Sequence, residues 1–284
     1  MATTDIYHIV GSLSPTRKAT RFLGGDVDDG IQIDAFAVTR TAANDTAGTF
    51  TAWINVPDIT GTYTIIGLGD ANVAEYIHFS VEAGKMFAAC ADAAVMQWDV
   101  NSTNIVIKPH QWQHVALVQG GAAQGGPKFY VDGALVARTD TTTTDLAEWI
   151  TNLDGLDGAH IGAADSIAGL AALTQEFKGA ISDVKYWKVA LTEAQINDDK
   201  NGKPPASITG TTTDLTNWWD MDDDYVDSIA GENGTAVGAI LLEPAYSEFT
   251  SRFGFMPATA AVVADSITLS MTESTGHAII IKAA

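Results

Sequence analysis

Short runs rich in β-branched and aromatic residues alternate with glycine- and aspartate-rich turns along most of the chain. TFTAWINVP (49–57), YTIIGLG (63–69), YIHFSVEAG (76–84), WQHVALVQ (112–119) and KFYVDGALVAR (128–138) have this character, and a period of two marks a strand with one buried face. Within them Trp53, Val115, Leu117, Phe129 and Val131 are assigned to one side, and Thr51, Asn55, His114 and Asp132 to the other. The turns include GGAAQGGP (120–127) and Asp132-Gly133; Asp-Gly between two apolar runs is a strong hairpin signal. Many short strands punctuated in this way predict an all-β fold, a two-sheet antiparallel jelly-roll sandwich.

One short helix is expected in LTEAQINDDKNGKPP. There Thr192 can cap, Glu193 favours the positive end of the helix dipole, and Gly202 with Pro204-Pro205 ends the pattern. TDTTTTD (139–145) reads as a surface loop, and ITGTTTDLT (208–216) as a linker leading back into a strand. After Pro257, SITLSMT (266–272) and HAIIIKA (277–283), joined by ESTG, read as a C-terminal β-hairpin. The expected organisation is an N-terminal arm (1–19), a jelly-roll body (20–256) and a hairpin arm (257–284). A two-stranded hairpin is marginal alone, so the last arm should dock on the body or on another chain.

Composition narrows the partners. The 284 residues carry 15 Lys+Arg against 35 Asp+Glu, a formal charge of −20. Nucleic-acid phosphates and anionic membranes are therefore excluded as partners, since both are bound by cationic side chains. Divalent cations remain compatible. The single cysteine, Cys90 in MFAACADAA, rules out an intramolecular disulfide and reads as a buried, inert thiol. The start, MATTDIYHIVGSLSP, has neither a basic leader nor an apolar segment of export length, and uncharged stretches fall far short of the ~18 residues of a membrane helix. The expectation is a protein made in a cytoplasm.

Four stretches in order resemble the laminin-G-like family of concanavalin A-type jelly rolls: RKATRFLGGDVDDGIQI (17–33), FTAWINV (50–56), the pair QWQHVALVQ and KFYVDGALVA (111–137), and FKGAISDVKYWKVALTEAQI (177–196). A fifth, LTNWWDMDDDYVDSIAGENGTAVGAILLE (215–243), is similar to the segment that usually opens such domains, yet here it follows the closing strand. Either it completes the jelly roll from the C-terminal side, burying Trp218 or Trp219, or it begins a partial second repeat. The first leaves no orphan strand edge and is preferred. The resemblance also implies that Trp53, Trp112 and Trp187 are core residues.

Enzymatic chemistry finds no support among the residues. The glucanase branch of this fold carries E-x-D-x-x-E on one strand, with two carboxylates flanking the scissile bond. The one pair with the right offset, Glu243 and Glu248, has Ala245 in place of the aspartate and Pro244 in the ladder. His110 and His114 lie on an extended segment about 13 Å apart, too far for one metal; His114 reads as an interior hydrogen-bonding residue. The resemblance implies a Ca2+ ion tying the DSIAGENG loop to the closing strand, with Asp227, a carbonyl near Asn233, and Asp183 as ligands. Asp26, Asp28 and Asp29, and the run Asp220, Asp222, Asp223, Asp224, read as turn and loop carboxylates, with cation binding by the first group as the alternative. Trp98 in MQWDVNSTN and Trp149 in LAEWITNLDG, each flanked by Asn and Asp, are the candidate carbohydrate-binding platforms.

With catalysis set aside, the expected function is that of a structural or interaction protein. Export-type fold, no leader and no disulfide together suggest a phage virion component, decorating a capsid or forming part of a tail or fibre. Its terminal arms would contact other virion subunits or further copies of itself, and its outer loops would contact host glycans. The alternative is a calcium-dependent carbohydrate-binding or adhesin module at a bacterial surface.

Overall fold

The computed structural model describes residues 19–24, 28–72, 74–164, 173–221 and 224–243. In chain order the elements are β1 (Ala19–Phe22), β2 (Gly30–Gln32), α1 (Asp34–Ala42), β3 (Gly48–Asn55), β4 (Thr62–Gly69), β5 (Tyr76–Glu82), β6 (Lys85–Asp92) and β7 (Val95–Ser102). There follow β8 (Gln113–Gln119), β9 (Lys128–Val131), β10 (Ala134–Val136), β11 (Arg138–Thr143), β12 (Gly158–Ile161) and β13 (Gly179–Trp187). The last are α2 (Glu193–Lys200), α3 (Pro205–Thr209), β14 (Leu215–Trp219), β15 (Thr235–Val237) and β16 (Leu241–Glu243). No described helix is long and apolar enough to cross a membrane. The two expected arms, apart from Ala19, lie outside the described residues.

The strands form two antiparallel sheets. The first runs β10-β9-β8-β3-β13-β1-β16, with β14 also on β13; the second runs β11-β7-β6-β5-β4-β12-β2-β15. Alternation decides which side chains meet between them. Phe50, Ala52 and Ile54 of β3, with Val115, Leu117, Phe129 and Val131, share one apolar cluster with Leu68, Ile77, Phe79, Val81, Trp98 and Val100 of the second sheet. This is the concanavalin A-like sandwich, all-β apart from its short helices.

Trp53 is a correction. Residues two apart on a strand share a face, so Trp53 accompanies Thr51 on the outer side of the first sheet, its ring edge-on to His114 at 5.4 Å. Trp53 and Trp112 are only partly buried. Trp187 is fully buried, but in a separate outer cluster with Tyr130, Leu191, Ile196, Ile208 and Leu215, beneath α2 and α3. TDTTTTD is likewise corrected: it forms β11, paired with β7 at the edge of the second sheet. The helix α1 is an element that strand periodicity did not disclose.

Two features explain how the chain closes. Asp132 (φ 52°) and Gly133 (φ 85°) form the tight β9–β10 turn, whose positive φ values an Asp-Gly pair accepts. On β13, residues 179–181 pair with β1 while residues 184–187 pair with β14, so the two strands follow one another along a single edge. The tryptophan-rich segment thereby enters the first sheet: Trp219 is buried against Phe36 at 5.5 Å, and Trp218 lies on the other face over Lys185.

The helix α2 is held by charge as well as by apolar contact. Thr192 and Gln195 form a reciprocal capping box. Asp199, buried on α2, accepts from Lys185 Nζ at 2.9 Å and pairs with His114 Nε2 at 3.2 Å. Burial works to raise the Asp199 carboxyl, but Lys185 and His114 outweigh it and hold it well below the usual range. Burial likewise works to lower Lys185, while Asp199 and Asp183 drive it above its ordinary value.

Candidate functional site

The face of the second sheet that points away from the core carries the best-formed arrangement of sugar-type side chains. With Ile77, Phe79 and Val81 of β5 in the core, Tyr76, His78 and Ser80 point outward. With Trp98 and Val100 of β7 in the core, Asp99 and Asn101 point outward. Between these strands β6 turns Phe87, Ala89 and Ala91 to the same face. The registers Gly67↔His78, His78↔Ala89 and Ala89↔Asp99 place these residues in one row, continued by His160↔Gly67 and Gln32↔His160.

This row makes a shallow slot whose floor and histidine are nearly closed to solvent (Ala89 2%, Ala91 3% and His78 3% exposed), with Tyr76, Phe87, Asp99 and Asn101 as its half-buried side chains. Two strand spacings, about 10 Å, separate β5 from β7, and only the methyl groups of Ala89 and Ala91 lie between. Tyr76 stacks on His78 with ring centroids 4.6 Å apart and planes inclined 24°. Burial, followed by the Asp99 charge, pushes the Tyr76 phenol above its ordinary value. Burial, followed by the Glu82 charge, raises the Asp99 carboxyl. Phe87 stands two residues from Ala89 along β6. An aromatic pair on one wall and a carboxylate and amide on the other suit a pyranose, whose ring face is apolar and whose rim is polar.

At the strand ends beyond Tyr76 and Ala91 lies an acidic rim. Glu75 accepts from the Gly155 amide at 3.1 Å, and burial, then Asp92, Asp70 and Asp154, move its carboxyl up, against that amide. Glu148, 7% exposed, is raised further, to about 7, by burial and then by the charges of Asp92, Asp145 and Glu75.

The platforms expected at Trp98 and Trp149 are corrected. Both are fully buried and stack on one another at 6.5 Å. The Trp98 indole donates to the Glu148 carbonyl at 2.9 Å, and that of Trp149 to the Tyr186 hydroxyl at 3.4 Å. Strand parity is the reason: Trp98 shares the inward side of β7 with Val100, and flanking Asn and Asp take the outside. The same parity in YIHFSVE and QWDVN was the signal for Tyr76, His78 and Asp99; aromatic content alone pointed to the wrong residues.

The expected calcium ligands are built into hydrogen bonds. Asp227 Oδ1 accepts from the Trp218 and Ile229 amides at 3.0 Å each, and Oδ2 from Asn217 Nδ2 at 2.8 Å and the Glu232 amide at 3.2 Å. Asn233 Oδ1 accepts from the Asp227 amide at 3.0 Å. Asp183 takes the Trp218 indole N–H at 2.7 Å and the Lys185 ammonium at 2.9 Å. The oxygens of Asp183, Asp227 and Asn233 are thus engaged by N–H donors, and at Asp183 also by an ammonium, the competitors that a hard cation would have to displace. Among the described residues no group of three or more His, Cys, Asp or Glu is arranged to hold a metal. Asp28 and Asp29 bond the backbone amides of Leu173 and Ala239; Asp26, Asp222 and Asp223 lie outside the described residues.

Comparison with known proteins agrees with this architecture. Residues 24–197 match the laminin G type family model described as the concanavalin A-like lectin/glucanases superfamily. Among solved structures, the Ruminococcus gnavus IT-sialidase CBM40 is similar with a TM-score of 0.51 and 13% identity, over 68% of this chain and 100% of that one. A "putative carbohydrate binding protein from Bacteroides ovatus ATCC 8483" has a TM-score of 0.50 and 22% identity, over 80% of this chain and 60% of that one. At these identities the likeness is one of fold. No curated protein matches the chain. The matched region has the fold of a concanavalin A-like domain. The virion reading, for function and for location, is corrected by these matches: it rested on elimination, whereas the matched family is the concanavalin A-like lectin/glucanases superfamily and the structures similar in fold are a sialidase CBM40 and a putative carbohydrate binding protein.

Proposed function

The chain belongs to the concanavalin A-like lectin/glucanases superfamily, and from that premise we propose that it is a carbohydrate-binding module whose sugar lies in the slot on the outer face of the second sheet. The observation that carries the reading is Tyr76 stacked on His78, across a floor of Ala89 and Ala91 from Asp99. The sugar ring packs its C–H face on Tyr76, while Asp99 and Asn101 accept and donate hydrogen bonds to its hydroxyls. No bond is made or broken: the module's contribution is affinity for a glycan surface.

The test is a glycan array followed by calorimetric titration of the best hit, with the wild-type chain and Tyr76→Ala. Binding by the wild type, weakened at least tenfold in the variant at unchanged melting temperature, supports the assignment. Full-strength binding by Tyr76→Ala moves the site elsewhere.

A further inference from the structure

Resting on that reading, we infer that the slot selects uncharged glycans and discriminates against carboxylate-bearing ones such as sialosides. Recognition of a sugar carboxylate calls for a cation, most effectively the two-pronged guanidinium of an arginine, because an anion leaving water needs opposite charge or several directed N–H donors. Among the described residues of β2, β4, β5, β6, β7 and β12, the one lysine or arginine is Lys85. It stands opposite Glu82 across the β5–β6 hairpin, so its charge is balanced on its own face. Arg138, on the neighbouring edge strand, is committed to Asp140 at 2.5 Å and to the Gly125 carbonyl at 2.7 Å.

The groups that do face the slot have the opposite sign. Asp99 forms one wall, and Glu82 lies along β5 on the same outward face. A sugar carboxylate entering here would meet the like charge of Asp99 in surroundings already desolvated enough to raise that carboxyl. A neutral pyranose meets the same carboxylates as hydrogen-bond acceptors for its hydroxyls. The net charge of −20 adds a long-range field of the same sign. The family fold is thus retained while this chain's face has the charge of a neutral-sugar site.

The experiment uses the whole chain and matched pairs that differ by one carboxylate: lactose with 3′-sialyllactose, and cellobiose with cellobiouronic acid. Each pair is titrated calorimetrically at low and at physiological ionic strength. The expected result is binding of a neutral member with its acidic partner at least tenfold weaker, the gap narrowing as salt screens the repulsion. An acidic member that binds as tightly as its neutral partner, or more tightly, overturns the inference and leaves the sugar site standing. If neither member of any pair binds, while an array shows no other glycan bound, the sugar reading itself falls and takes the inference with it.

Discussion

Glu148 offers the sharpest quantitative prediction. Its carboxyl lies 7% exposed, and burial together with Asp92, Asp145 and Glu75 raises it to about 7 from an ordinary 4.5. A carboxyl raised on folding is more readily protonated in the native state than in the unfolded chain. Its effect is absent below pH 4.5, grows as pH rises, and reaches its full destabilising value above pH 7. That interval corresponds to about 3 kcal/mol, which screening by solvent brings to about 1–3 kcal/mol. Glu148→Gln keeps the shape and removes the charge. Thermal unfolding followed by circular dichroism from pH 4 to pH 8 should show the variant and wild type converging at the acidic end. By pH 8 the variant should melt higher, by about 2–4 °C for each kcal/mol. The comparison must be made as a difference, because Asp45 and Asp99 also sit above their usual range. A difference that is constant across pH, or a variant less stable at pH 8, would refute the electrostatic reasoning.

Asp199→Ala should destabilise the chain in urea unfolding, by less than the about 3–5 kcal/mol of a wholly uncompensated buried charge, because the buried Lys185 ammonium keeps Asp183 at 2.9 Å. The stabilisation that Asp199 gives is present above an ordinary carboxylate pKa and should be lost as pH falls through its depressed value, so the variant's deficit shrinks in acid. Trp98→Ala should lower stability by about 3–5 kcal/mol through the cavity it leaves, with glycan affinity unchanged in the fraction that remains folded; selective loss of affinity would restore Trp98 to the site. Asp227→Asn should lower the melting temperature equally with calcium and with chelator, since Asp227 is bound to N–H donors; a calcium-dependent stabilisation of the wild type that the variant lacks would overturn this.

Local chemistry in the sequence determined a good deal. Alternation in WQHVALVQ and KFYVDGALVAR identified strands and inward faces, Asp132-Gly133 identified a hairpin, and Thr192 identified the start of α2, because each depends on a few adjacent residues. Parity, applied strictly, would also have placed Trp53 outside and Trp98 inside. What the sequence could not supply is which strands become neighbours. The series of β1 and β14 along one edge of β13 joins residues about two hundred positions apart. The slot is likewise made by the register of β5, β6 and β7, which brings Tyr76, Ala89 and Asp99 together although each is unremarkable in its own segment. The N–H donors gathered on Asp227 come from the folded loop around it. Strand identity is a short-range property of side-chain pattern; register, neighbouring order and the occupancy of each oxygen arise only when distant segments compete to bury the same surface, and at that level the site of this protein is decided.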